Sequence, residues 1–320
     1  MNEISGIFFA PLMELSYAAA TMHRRYFDPQ QVQQCTLLSI KTGGCGEDCK
    51  YCSQSARYQT AVDAEPLLDY FTTMEAAKAA KDAGSTRFCM GAAWRGVSAV
   101  NENSFSKVLD MVKGVSSMGM ECCATLGMLT EDQAVRLKDA GLTAYNHNLD
   151  TSPEFYSNVI TTRTYADRLE TIGRVRDAGI SVCSGGIIGL GESHQDRISL
   201  LHQLATLPSH PESTPVNALV PNEGTPLGNA ELVSVFDMVR MIATARLIMP
   251  QTMVRLSAGR NELTAAEQAM CFSAGANSIF AGDKLLTTAN PAFSDDKDLF
   301  ELLGLSGKPA ILKPGVKGTR

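Results

Sequence analysis

Three times along this chain an amphipathic run closes on Asp-Ala-Gly and gives way at once to a short β-rich run. The runs are MEAAKAAKDAG, EDQAVRLKDAG and ADRLETIGRVRDAG, ending at Gly84, Gly141 and Gly179. Apolar residues recur at helical spacing in each, and a glycine just past the last turn suits the left-handed conformation that closes a helix. Strands that restart directly after helices need crossover connections, so the sheet they build is parallel and covered by helices. Candidate strands span 36–41, 85–90, 121–126, 143–150, 181–186, 214–220, 253–257 and 278–281, separated by helical or long crossover segments. Eight such units predict an α/β fold, a (β/α)8 TIM-type barrel, with a doubly wound open sheet as the competing arrangement. The absence of Gly-x-Gly-x-x-Gly after the first strand weakens a dinucleotide-binding reading.

No linker separates a second unit. The expectation is one domain over 1–320, with an N-terminal helical extension over 1–35, a barrel over 36–288 and a C-terminal segment over 289–320. Within the extension, residues 11–26 read as a helix, and the Gly-, Pro- and Lys-rich tail from Leu305 is expected to be partly disordered. The formal charge of −6 offers no basic field for nucleic acid or an anionic membrane. The N-terminal MNEISG has neither the basic nor the apolar region of a signal peptide, and no apolar stretch approaches the roughly 20 residues of a membrane span. A cytoplasmic protein without nucleic-acid or membrane partners is expected. Thiols stay reduced in that compartment, so nine cysteines, an odd number, do not read as a disulfide framework. Metal binding has to be weighed against plain packing.

The first strand runs into GGCGEDCKYCSQS, with Cys45, Cys49 and Cys52 on one short loop. Soft thiolates select zinc or iron–sulfur chemistry. A structural zinc site needs four closed ligands, and no fourth partner lies nearby in the sequence. Three ligands on a four-iron cube would leave one iron open. A zinc knuckle or coincidental clustering is the plain alternative. The pattern CxxxCxΦC, with Tyr51 as its aromatic, resembles the signature of the radical S-adenosylmethionine superfamily. That resemblance implies a 4Fe–4S cluster on Cys45, Cys49 and Cys52, whose open iron binds the amino and carboxylate groups of S-adenosylmethionine.

Three further cysteines fall one per strand: Cys89, Cys123 and Cys183. Side chains alternate along a strand, so adjacent Cys122 and Cys123 face opposite ways and only one enters a barrel interior. Each of the three alone reads as a buried structural cysteine; together they suggest a second metal centre. The segments SIKTGGCGEDCKYCSQSARY, GSTRFCMGAAW, YNHNLDTSPEFY, VCSGGIIGLGE and VRLSAGR jointly resemble the biotin synthase family, in order over about 31–288. Ser53 departs from the proline many members carry and Gly46 fills a variable slot, but neither is a ligand. The resemblance implies a 2Fe–2S cluster on Cys89, Cys123, Cys183 and Arg255. Chemistry alone makes Arg255 a charge partner of an anionic cluster, because a guanidinium donates hydrogen bonds rather than lone pairs. Arg87 shares the face of Cys89 and is expected near the same centre.

Asn146, Asn148 and Asp150 share one face of a strand end, with His147 on the other as a satisfied structural histidine. By resemblance, Asn148 contacts both cofactor and substrate, and Asp150 holds the ribose hydroxyls of S-adenosylmethionine. Asn217 would pair with the ureido ring of dethiobiotin, although a lone asparagine is as readily a strand-end cap. Ala92 and Trp94 resemble the segment that contacts the methionyl part of the cofactor, Ile187 the loop against adenine, and Arg168 a carboxylate-binding position. The plain alternatives are packing for Trp94 and an exposed helix arginine for Arg168. Cys35, Cys122 and Cys271 read as structural. The resemblance further implies a homodimer, flavodoxin or ferredoxin as electron donor, and sulfur insertion into dethiobiotin to give biotin. The rival readings are another radical S-adenosylmethionine enzyme acting on a small molecule, and a non-catalytic iron–sulfur or zinc scaffold protein.

Overall fold

The computed structural model describes residues 1–310, and within them the β-rich runs form one parallel sheet closed on itself. Its strands are β1 (Gln31–Lys41), β2 (Arg87–Ala92), β3 (Glu121–Thr125), β4 (Ala144–Asn146), β5 (Ser181–Cys183), β6 (Gly186–Ile188), β7 (Ser213–Ala218), β8 (Met253–Leu256) and β9 (Ser278–Phe280). Neighbours pair in chain order, and β9 returns to β1 to close the barrel. β5 and β6 form one stave in two pieces. Cys183 lies opposite Ser213 and Gly186 opposite Val216, so the register runs unbroken across the gap. At the gap, a Cβ on Gly185 would collide with the Pro215 carbonyl. Eight staves therefore make the barrel, as the periodicity predicts.

The largest differences from the expected strand bounds fall at β1 and β4. β1 begins at Gln31 rather than at 36, through residues whose glutamines hide an inward face: Gln33 is buried and donates to Glu121 at 3.3 Å. The expected strand over 143–150 shortens to β4, and Asp150, at a left-handed φ of 66°, keeps only an isolated parallel bridge to Gly186. Beyond the barrel, β10 (Lys284–Leu285) and β11 (Thr288–Ala289) form a hairpin. β12 (Ser306–Gly307) then pairs with β1, so the tail from Leu305, expected to be partly disordered, contributes a short strand. The rest of that expectation, residues 311–320, lies outside the described residues.

The helices are α1 (Asn2–Phe8), α2 (Leu12–Tyr26), α3 (Tyr70–Asp82), α4 (Glu102–Ser117), α5 (Glu131–Asp139), α6 (Tyr165–Asp177), α7 (His194–Ala205), α8 (Val235–Ile248), α9 (Ala265–Ser273) and α10 (Phe293–Leu303). Thr130, Thr164, Ser193 and Thr264 open α5, α6, α7 and α9 with reciprocal capping boxes. Gly84, Gly141 and Gly179 follow α3, α5 and α6 at φ of 98°, 100° and 70°, where a side chain would be strained. The core fills the space between helices and the outer face of the barrel: Phe88, Cys122, Val182, Val254 and Ile279 all point there. α2 packs on α8, and α1 on α7 and α8, with Arg240 donating to the Ala10 carbonyl at 2.9 Å. No single helix among the described residues is long and apolar enough to cross a membrane; α1 and α2 pass such a test only as a pair bent by 107°.

Candidate functional site

At the C-terminal ends of the strands the barrel opens into a cavity of about 340 Å³. Parallel barrels build their sites at this end because the loops after the strands converge on it. The cavity is lined by the loop cysteines Cys45, Cys49 and Cys52, by Ala92, Trp94, Asn148, Asp150, Arg168, Ile187 and Asn217, and deeper down by Cys89, Cys123 and Arg255. Cys183 is fully buried behind this lining.

The cysteine loop is shaped by its backbone. Gly43 and Gly44 stand at φ of 66° and 70°, and a Cβ on Gly43 would lie 2.5 Å from the Asp63 carbonyl oxygen. The loop then closes on itself, Cys45 donating to the Gln54 carbonyl at 2.9 Å and Ala56 to that of Cys45 at 2.8 Å. Burial alone would raise the Asp48 carboxyl, but bonds from Thr161 and Thr162 outweigh it and hold the group at about 2. That carboxylate ties the loop to residues 161–162. The Tyr51 hydroxyl donates to Asp150 at 2.7 Å, tying the loop to the strand ends as well. Burial pushes the Cys49 thiol up to about 12 and that of Cys52 up to about 11, and raises Cys45 too. These thiols therefore hold their protons until a cationic centre displaces them.

The adjacent pair Cys122 and Cys123 divides as alternation predicts. Cys122 sits in the outer core, and Cys123 faces the barrel interior with Cys89, Ala144 and Cys35. Cys35 joins this inward set, although in the sequence it reads as structural alone. It is fully buried, and Cys89 shares sulfur contacts with both Cys35 and Cys123. Burial would raise the Cys35 thiol, but its bond to Cys89 and the charges of Arg255 and Arg87 bring it down to about 6. Arg255, 1% exposed, donates from Nε to Ser278 Oγ at 3.0 Å, from Nη1 to Cys183 Sγ at 3.6 Å and from Nη2 to Cys35 Sγ at 3.4 Å. Its guanidinium also lies 4.6 Å over the Phe280 ring. Arg87 faces these thiols too, but its fork is bound to Glu121 at 2.6 and 2.8 Å. Among the described residues no three His, Cys, Asp or Glu side chains close on a single point as the ligands of one ion do. Soft sulfur donors spread around a shared space fit a multi-iron centre better than one zinc ion.

Around the mouth, the structure removes one alternative reading, that of Arg168 as an exposed helix arginine, and corrects one expectation, that of His147. Arg168 is not an exposed helix arginine: it is 3% exposed, ion-paired to Asp150, and bonded to the Tyr156 hydroxyl at 2.7 Å and to the Asn148 carbonyl. His147 does not turn away as a satisfied histidine. It lines the cavity, and its Nε2 is buried without a hydrogen-bond partner among the described residues. Burial, with Arg168 and Arg163 nearby, pushes its pKa well below the usual range, so the ring is neutral. Asn148 accepts from Asn146 at 3.1 Å and from the Gly185 backbone at 3.2 Å. Asn217 donates to the Gly186 carbonyl at 2.9 Å and accepts from Ala258 at 3.3 Å, which fixes its amide plane.

Residues 39–204 match the Radical SAM superfamily, and residues 215–306 the Biotin and Thiamin Synthesis associated domain. Biotin synthase of Cytophaga hutchinsonii is 65% identical, over 97% of this chain and 91% of that protein. The chain belongs to the biotin synthase family. The mitochondrial biotin synthase of Arabidopsis thaliana is 60% identical over 96% of the chain and 81% of its own length. That of Myxococcus xanthus is 58% identical over 95% and 88%. Among solved structures, methylornithine synthase (PylB) superposes with a TM-score of 0.81 at 19% identity, covering 97% of this chain and 93% of its own. The FeFe-hydrogenase maturase HydG from Carboxydothermus hydrogenoformans gives 0.76 at 17%, covering 96% and 79%. At those identities they show the barrel alone. As a member of the biotin synthase family, the chain is a radical S-adenosylmethionine enzyme of sulfur insertion, working with S-adenosylmethionine and an iron–sulfur cluster.

Proposed function

We propose that this chain converts dethiobiotin to biotin with two iron–sulfur centres set at different depths of one barrel. The observation that carries this reading is the pair of separate sulfur sets on a single cavity: three thiols on the mouth loop, and a second set on the strands below. Cys45, Cys49 and Cys52 hold a 4Fe–4S cluster, and Cys89, Cys123 and Cys183 with Arg255 hold a 2Fe–2S cluster. When bound, the first supplies the electron that cleaves S-adenosylmethionine to methionine and a hydrogen-abstracting 5′-deoxyadenosyl radical, and the second supplies the inserted sulfur.

The chain's own work is positioning and exclusion of water. Ala92 lets the cofactor approach the backbone closely, beside Trp94, while Ile187 offers an apolar surface to adenine. Asp150 receives the ribose hydroxyls through the carboxylate oxygen that Tyr51 and Arg168 leave free. Arg168 directs its positive charge toward the cofactor's carboxylate. Asn148 stands between cofactor and substrate. Asn217, its amide plane fixed, faces the ureido ring. By family likeness the protein is a homodimer, takes electrons from flavodoxin or ferredoxin and works in the cytoplasm, where its nine free cysteines stay reduced. We read 1–320 as a single barrel domain with its extensions.

The test is anaerobic. The chain is reconstituted with iron and sulfide, reduced, and assayed with S-adenosylmethionine and dethiobiotin. Both 5′-deoxyadenosine and biotin are expected. No 5′-deoxyadenosine at full iron loading would overturn the radical reading, and 5′-deoxyadenosine without biotin would overturn the substrate.

A further inference from the structure

We propose that Arg163 is a positioning residue that sets the potential of the mouth centre, acting as a fixed positive charge beside the loop of Cys45, Cys49 and Cys52. The inference rests on the reading above, in which those three thiols hold a four-iron cluster.

Arg163 lies between β4 and α6, immediately before Thr164, which caps α6. The two residues before it are bound to the cysteine loop. Thr161 and Thr162 donate from their backbone to Asp48 at 2.9 and 3.2 Å, and the Thr162 hydroxyl donates to Glu47. Pinned on both sides, Arg163 is nine-tenths buried and lines the cavity with the three loop thiols. Its Nε lies 3.8 Å from Glu47 Oε2 and has no hydrogen-bond partner among the described residues. Glu47, itself buried, has the half-exposed Arg95 at 3.3 Å from its other oxygen. The pairing of Arg163 is therefore loose, whereas Arg87 and Arg168 have their forks bound to Glu121 and Asp150.

That leaves the charge of Arg163 free to act on the loop. It draws down the thiols of Cys45, Cys49 and Cys52 alike, against burial, while Glu47 acts on Cys45 in the opposite sense. A charge that favours thiolate over thiol also favours the reduced over the oxidised cluster, because both changes add one negative charge at the same place. The reduction takes one electron from an external low-potential donor; no bond forms or breaks and no proton moves. A unit charge about 10 Å away, at an effective dielectric of about 20, shifts such an equilibrium by on the order of tenfold. For one electron, tenfold is about 59 mV.

The experiment uses the full chain, reconstituted anaerobically. The four-iron centre is titrated with dithionite in the presence of redox mediators, with the electron paramagnetic resonance signal of the reduced cluster as readout. S-adenosylmethionine is left out, so that cofactor binding cannot move the value, and iron and sulfide content reports the loading of each variant. Arg163→Gln is expected to lower the potential by about 59 mV. Arg163→Lys, which keeps the charge, should stay near the parent. Glu47→Gln, which removes the carboxylate and keeps an acceptor for Thr162, should raise the potential. A merely structural part for Arg163 would change iron content and leave the potential of the loaded fraction where it was. Less than about a twofold shift of the equilibrium in loaded Arg163→Gln would overturn the proposal, as would an equal fall in Arg163→Lys. Where Arg163→Gln does not load, the absence of a rise in Glu47→Gln overturns it. A parent chain without any four-iron signal is a separate result: it would remove the three-thiol reading and this proposal with it.

Discussion

Asp150→Asn isolates what the buried Asp150–Arg168 pair contributes. Both side chains are 3% exposed, and Arg168 sends its other donors to Tyr156 and the Asn148 carbonyl. Asparagine keeps the size of the residue, still accepts from the Tyr51 hydroxyl, and tolerates the φ of 66° about as well as aspartate. The substitution therefore removes the charge and leaves the guanidinium buried without its counterion. Breaking a buried pair on one side costs about 3–5 kcal/mol. That is a large part of the roughly 5–15 kcal/mol by which domains are stable. Equilibrium urea unfolding under reducing conditions reads the cost. At a slope near 3 kcal/mol per molar, the midpoint falls by on the order of 1 M. Asp150→Asn/Arg168→Met, which removes both charges, should recover most of the loss. A single variant within about 1 kcal/mol of the parent would refute the argument, as would a double variant no more stable than the single one. Loss of S-adenosylmethionine affinity without loss of stability would leave the carboxylate a ligand role alone.

Cys123→Ala should abolish the two-iron absorption, whereas Cys122→Ala should keep it and lose only about 1 kcal/mol of packing, read by absorption and by urea midpoint. The reverse result would mean that β3 faces the other way. Stability should also fall in mild acid through His23, whose imidazole is lowered to about 4 by burial and by Arg246 of α8 and Arg24 of its own helix, against Asp28. A depressed folded-state value gives stability that is present above the unfolded value of 6.5 and is lost as pH falls toward 4, up to about 3 kcal/mol. His23→Phe should flatten that part of the stability profile relative to the parent, and an unchanged slope would count against it.

The Asp-Ala-Gly endings made the barrel legible, because helices that stop on a left-handed glycine directly before three of the strands call for crossover connections and a parallel sheet. Alternation was enough to separate Cys122 from Cys123. It failed for Cys35 only because β1 was expected to start at 36, one residue too late. The glutamines at 31, 33 and 34 hid an inward face whose polar groups are satisfied across the barrel floor, as Gln33 is by Glu121. Arg168 was ambiguous because a lone arginine on a helix carries no local sign of burial; its partner Asp150 stands 18 residues away. His147 was misjudged for a related reason. Period-2 alternation holds only while the strand stays extended, and β4 ends at Asn146.

The central claim is that the deep centre gives its sulfur to the product. It is tested most directly by reconstituting the cluster with isotopically labelled sulfide and reading the mass of the biotin formed in a single anaerobic turnover. The account predicts labelled biotin from the parent chain and from Cys122→Ala, and none from Cys123→Ala. Unlabelled biotin from a fully labelled cluster would contradict it.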